Sequence, residues 1–114
     1  MFTEIKTVHD FLVIKPTQET LDATNSSFVK TEVIKSIEEN FLCNKIIMDF
    51  SDIYFMDSTG VSTVISLYKL FGHQKKIAFC GARKEILHVL ELTNMTNFIK
   101  NHKTLQDAIV YEKG

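Results

Sequence analysis

The sequence predicts an α/β domain with a mixed β-sheet of four to five strands packed by about four helices. Three observations lead there. Short apolar runs alternate with longer stretches of helical apolar spacing, in the order β-β-α-β-α-β-α-β-α. The run Ile46-Ile47-Met48-Asp49-Phe50 is almost continuously apolar, as expected of a strand covered on both faces. Two strands in succession at the start imply that one of them runs antiparallel, in a sheet otherwise built from β-α-β units. The 114 residues are one domain's worth of chain, and residues 1–114 are expected to form a single domain.

Phe2 to Thr7 and Asp10 to Lys15 read as short strands, the second carrying Phe11-Leu12-Val13-Ile14 and ended by Pro16. A helix is predicted from about Asn25 to Phe41. Val29, Val33, Ile34, Ile37 and Phe41 form its apolar stripe, and Asn25 or Ser26 stands where a side chain can cap the first turn. After the central strand, a second helix runs from about Ser58 or Thr59 to Phe71, with Val61, Val64, Ile65, Tyr68 and Phe71 inward. Gly72 falls just past its end, where a left-handed residue is expected. Lys76 to Cys80 is a strand ended by Gly81. Arg83 to Leu92 is a helix with Ile86, Leu87 and Leu90 inward, followed by Asn94, a residue that tolerates positive φ. Phe98-Ile99-Lys100 is the last predicted strand, and Thr104 caps a final helix carrying Leu105, Ala108 and Ile109.

Composition excludes several classes of function. Net charge is −1, from 13 Lys plus Arg against 14 Asp plus Glu, so the basic footprint of a nucleic-acid binder is missing. No apolar run approaches the length of a membrane span, and Met1-Phe2-Thr3-Glu4-Ile5-Lys6 lacks a signal-peptide pattern, so a cytoplasmic protein is expected. Cys43 and Cys80 have no CxxC neighbour and read as small buried hydrophobes. His9, His73, His88 and His102 lack metal-ligand spacing, so no metal or cofactor is predicted.

The informative stretch is Phe55-Met56-Asp57-Ser58-Thr59-Gly60-Val61-Ser62, a strand that ends in an acid, two hydroxyls and a glycine and turns into a helix. Asp57 or Ser58 falls at the helix N-cap. Together with Ile46-Ile47-Met48-Asp49-Phe50, this stretch resembles the signature of STAS domains, above all the bacterial anti-sigma factor antagonists. Leu21-Asp22 is similar to the family's Leu-Asp ahead of its first helix, and Val89-Leu90-Glu91-Leu92-Thr93 to its third-helix Val-Leu-Glu-Leu-Thr. The resemblance covers nearly the whole chain. Ser62, Lys84 and Asn94 depart from it, standing where the family often has Gly, Pro and Gly.

The resemblance implies a partner switch without catalysis of its own. Ser58 corresponds to the serine that an anti-sigma factor serine kinase phosphorylates. The unphosphorylated form binds that kinase and frees the sigma factor, and a PP2C-type phosphatase restores it. Asp22, Asp57, Ser58, Thr59, Gly60 and Ser62 are the expected partner-binding residues, on a monomer or weak dimer. Asp22 is expected beside the motif, Gly60 where a side chain would crowd the partner, and Thr59, Ser62, Thr63 and Ser66 on a polar contact face. The competing reading within the family is a scaffold subunit of a transporter or stress-signalling assembly, in which Ser58 is only a cap. Protease and hydrolase readings fail on spacing: two hydroxyl residues separate Asp57 from Gly60, and no glycine stands two residues before Ser58.

Overall fold

The computed structural model describes residues 1–113. Strands β1 (Thr3–Val8) and β2 (Phe11–Pro16) form a hairpin turned at His9, whose φ is 56°. Then follow β3 (Thr20–Leu21), α1 (Ser26–Glu39), β4 (Lys45–Asp49), β5 (Phe55–Met56), α2 (Ser58–Phe71), β6 (Lys76–Cys80), α3 (Lys84–Glu91), a 3₁₀ turn at Met95–Asn97, β7 (Asn101–His102) and α4 (Leu105–Lys113). Five strands make the main sheet in the order β1-β2-β4-β6-β7. Only β1 is antiparallel, as the two opening strands predict.

Alternation along the strands sorts the core into two layers. Leu12, Ile14, Ile46, Met48 and Phe79 point to one face and meet Val29, Val33 and Ile37 of α1, Val61, Val64 and Leu67 of α2, and Ile86 and Leu90 of α3. Phe11, Val13, Ile47 and Cys80 point to the other face, where Ala108 and Ile109 of α4 cover them. Each fully buried Ile, Leu or Phe contributes roughly 1.5–3 kcal/mol, so the larger layer holds most of the apolar stabilisation. It also fixes α2, whose N-terminus carries the motif.

Several expectations are corrected. The α1 helix ends at Glu39, and Phe41 lies beyond it, 67% exposed, because the chain must turn there to enter β4. Asn25 stands at the N-cap position of α1 but does not cap it. Its amide instead accepts from Asp22 N–H (3.0 Å) and donates to the Thr20 carbonyl (2.7 Å), bracing the loop before the helix. Gly72 is right-handed (φ −62°), and a Cβ there would come within 2.8 Å of the Tyr68 ring, so space rather than φ favours glycine. Asn94 does adopt the left-handed conformation (φ 62°) and Gly81 likewise (φ 69°). The last strand is not Phe98–Lys100 but Asn101–His102. Ile99 is drawn into the helix-side core with Met95, leaving the next two residues to pair with Phe79 and Cys80. A second sheet of two strands, the parallel pair β3–β5, stands in addition to the predicted elements.

Candidate functional site

The motif is built by the β3–β5 pair. Thr20 stands opposite Phe55 and Leu21 opposite Met56. The Tyr54 and Phe55 N–H groups donate to the Glu19 carbonyl (2.6 and 3.3 Å), and Asp57 N–H donates to the Leu21 carbonyl (3.3 Å). Met56 is buried beneath, so the chain arrives at Asp57 anchored on both sides. Asp57 is the N-cap of α2, with extended backbone (φ −91°, ψ −175°). Its Oδ1 accepts from Gly60 N–H at 2.9 Å, and its Oδ2 accepts from Ala23 N–H at 3.2 Å. One carboxylate thus caps a helix and tethers a loop 34 residues away in sequence.

Ser58 is the first helical residue of α2 and is exposed. Because Asp57 does the capping, the Ser58 hydroxyl is left free. The N–H groups of Ser58 and Thr59 belong to the first turn, where no carbonyl precedes them to accept. Thr59 and Ser62 are exposed beside Ser58, with Ser66 half-buried further along. Thr63 does not join this face. It is 7% exposed, and its hydroxyl donates back to the Thr59 carbonyl at 3.0 Å.

Asp22 lies in the tethered loop. Its Oδ1 accepts from the hydroxyl and N–H of Thr24 (2.6 and 2.9 Å) and its Oδ2 from the Thr20 hydroxyl (2.9 Å). The Thr24 hydroxyl first, and the other donors after it, hold the carboxyl below its ordinary range, so it stays charged. The structure therefore brings Asp22, Asp57, Ser58, Thr59 and Ser62 into one neighbourhood. Gly60 lies in the same first turn of α2 but faces inward. It is buried, and a Cβ would fall on the Leu21 carbonyl oxygen and within 2.7 Å of Met56 Cγ. The contact between α2 and β3 by itself requires glycine here.

The Leu21–Thr24 loop is held to the motif by Asp57 N–H, which donates to the Leu21 carbonyl, and by Ala23 N–H, which donates to Asp57 Oδ2; such backbone partners leave no mark in the sequence. One further feature of the site escaped the sequence. Arg83 lays its guanidinium 3.8 Å over the Tyr54 ring and donates to the Ser51 carbonyl (3.2 Å), fixing the segment that leads into β5. Among the described residues no three His, Cys, Asp or Glu side chains gather as metal ligands, and no helix is long and apolar enough to cross a membrane.

Known structures share this fold. A Thermotoga maritima protein assigned as an anti-sigma factor antagonist superposes with a TM-score of 0.86 at 23% identity, over 98% of this chain and 95% of that one. An anti-sigma factor antagonist from Mycobacterium paratuberculosis gives 0.86 at 14% identity, over 98% and 93%. The Bacillus cell-fate determinant SpoIIAA in its phosphorylated form gives 0.69 at 18% identity, over 96% and 97%. At these identities the likeness speaks for the fold. The STAS domain family matches residues 3–108 directly in sequence, which takes in every strand, the motif and the start of α4. The chain belongs to the STAS domain family.

Proposed function

We propose that this chain is an anti-sigma factor antagonist whose binding is switched by phosphorylation at Ser58. The observation that carries the reading is the division of labour at the start of α2. Asp57 makes the cap, so Ser58 presents an exposed hydroxyl on a helix that does not depend on it. Phosphate there adds about −1.5 to −2 charges. The helix dipole and the open N–H groups of the first turn tolerate that charge, so the phosphoprotein stays folded. Binding responds in the opposite way. With Asp57 adjacent and Asp22 in the tethered loop, phosphate makes the surface strongly anionic and costly to desolvate against a partner. Thr59 and Ser62 supply an uncharged contact face that discriminates the two states. The partner in this reading is an anti-sigma factor serine kinase, the restoring enzyme a PP2C-type phosphatase and the compartment the cytoplasm. The chain itself catalyses nothing.

The test is incubation with the purified cognate kinase and Mg-ATP, read by intact mass and site mapping. Wild type gains one phosphate, on Ser58. Ser58→Ala gains none and binds the kinase constitutively, while Thr59→Ala and Ser62→Ala still accept it. Ser58→Asp folds but binds at least about tenfold more weakly, equivalent to about 1.4 kcal/mol. Undiminished phosphorylation of Ser58→Ala would sink the assignment. A wild type left unmodified by an active cognate kinase favours the scaffold role.

A further inference from the structure

We infer that the open edge of β1 is a self-association site, where a second copy of this chain adds its own β1 antiparallel about a two-fold axis at Ile5. The strand closes one side of the main sheet, so its outer backbone groups have no neighbouring strand. Pairing with β2 decides which groups those are. Thr17 N–H donates to the Phe2 carbonyl (3.0 Å), and the same register runs on through Glu4↔Lys15, Lys6↔Val13 and Val8↔Phe11. Antiparallel ladders alternate, so Glu4, Lys6 and Val8 turn their N–H and C=O groups toward β2. Thr3, Ile5 and Thr7 turn theirs outward.

Charge complementarity selects the occupant and its register. With Ile5 opposite the Ile5 of a second copy, Thr3 faces Thr7 and Thr7 faces Thr3, each pair exchanging both its N–H···O bonds. Glu4 and Lys6 take the intervening positions, where side chains on facing strands approach most closely, and every Glu4 there stands opposite a Lys6. Both side chains are exposed in the single chain. Moving the axis to Glu4 sets that carboxylate against its own copy, and moving it to Lys6 does the same to the ammonium. Charges on an edge strand ordinarily guard against pairing. Here like charges oppose the neighbouring registers and opposite charges favour this one. Ile5 adds apolar contact. It is 37% exposed on the α1 face, beside a hollow lined by Glu32, Lys35 and Glu39, and its copy lies next to it across the axis. A six-residue strand offers less than the roughly 1,200 Å² that a stable complex buries, so the dimer is weak, with Kd on the order of 100 μM. None of β3, β5 and α2 takes part, so the inference does not depend on the reading of Ser58.

Sedimentation equilibrium of the full chain, over roughly 10 μM to 1 mM so as to bracket that Kd, tests this. Wild type is expected to pass from monomer to dimer across the range. Glu4→Lys and Lys6→Glu, each alone, set like charges opposite one another and should raise Kd at least about tenfold. An equimolar mixture of the two variants puts opposite charges back in register, and so does the double variant Glu4→Lys/Lys6→Glu. Both should recover the wild-type Kd to within about threefold. A wild type that stays monomeric throughout would overturn the site. Association that the single variants leave unchanged would assign the dimer to another face and overturn it as well. Losses in the single variants that neither the mixture nor the double variant repairs would overturn the register and, with it, the pairing of β1 on β1.

Discussion

At the scale of single residues, Gly60 shows how a glycine legible in a motif can be held by a contact that the motif does not reveal. Its place in the motif is visible in the sequence, but the atom it must avoid belongs to Leu21, far away along the chain. In an exposed helix Gly→Ala gains about 1 kcal/mol from propensity. Here the added methyl meets a backbone carbonyl that cannot swing aside, and overpacking of this kind costs typically 1–3 kcal/mol. Gly60→Ala should therefore lower unfolding stability by about 1–2 kcal/mol in urea titrations and weaken partner binding only where the fold is lost. A variant as stable as wild type would show that α2 and β3 can move apart. Asp57, by contrast, was legible as a cap because an acid at N-cap bonds within its own turn. Its second bond, to Ala23, was not, because backbone donors carry no sequence mark.

At the scale of elements, strands and helices with strong apolar patterns were legible to within a residue or two, and short polar ones were not. β7 is the clearest case. Asn101 and His102 are poor strand formers, yet they pair with β6, and His102 becomes buried under α4. There its Nε2 lies 3.0 Å from Glu112 Oε2, with both side chains almost fully enclosed. Lys45 adds a bond to the Glu112 carbonyl (2.7 Å), and Lys76 approaches the other carboxylate oxygen at 4.0 Å. One residue near the end of α4 thus clasps three strands. Glu112→Ala strands His102 without its partner and should cost about 2–3 kcal/mol in urea unfolding. Glu112→Gln keeps a hydrogen bond to the imidazole and should lose less than half of that. Equal losses in the two variants would point to packing rather than pairing.

At the scale of the whole molecule, the two faces of the sheet are unequally covered, by three helices on one side and by α4 alone on the other. The apolar alternation of the strands made both faces legible, but nothing in the sequence said how the helices would divide between them. Cys80 lies on the thinner side and is wholly buried. Burial first, and the Asp49 carboxylate second, push its thiol up to about 12 from an ordinary 9.0. A folded value above the unfolded one means that the stabilisation is complete below pH 9 and is lost as pH rises toward 12. Asp22 acts in the opposite sense: its carboxyl is depressed, so its contribution is present above about pH 3.8 and lost as acid is added. Urea midpoints measured between neutrality and about pH 10.5 should fall on the alkaline side. Cys80→Ala should lower the neutral plateau and flatten that fall, and an unchanged slope would assign the alkaline limb to other groups.

In the proposed reading, the two hydrogen bonds accepted by Asp57 also bear on what kind of object a modifying enzyme recognises. The Ser58 hydroxyl is presented by a helix start whose shape depends on Leu21 and Ala23, supplied from another part of the chain. Cut free, this fourteen-residue helix would be marginal in water. An enzyme that modifies Ser58 is therefore expected to read a conformational epitope, not a linear one. A synthetic peptide spanning residues 50–70 contains every letter of the motif and should still be a substrate with kcat/KM roughly 100-fold or more below that of the folded chain. Comparable turnover of peptide and protein would mean that the enzyme reads the letters alone. The expected gap would mean that a chain earns modification only after its two distant segments have met, so the phosphate would also certify that the fold is complete.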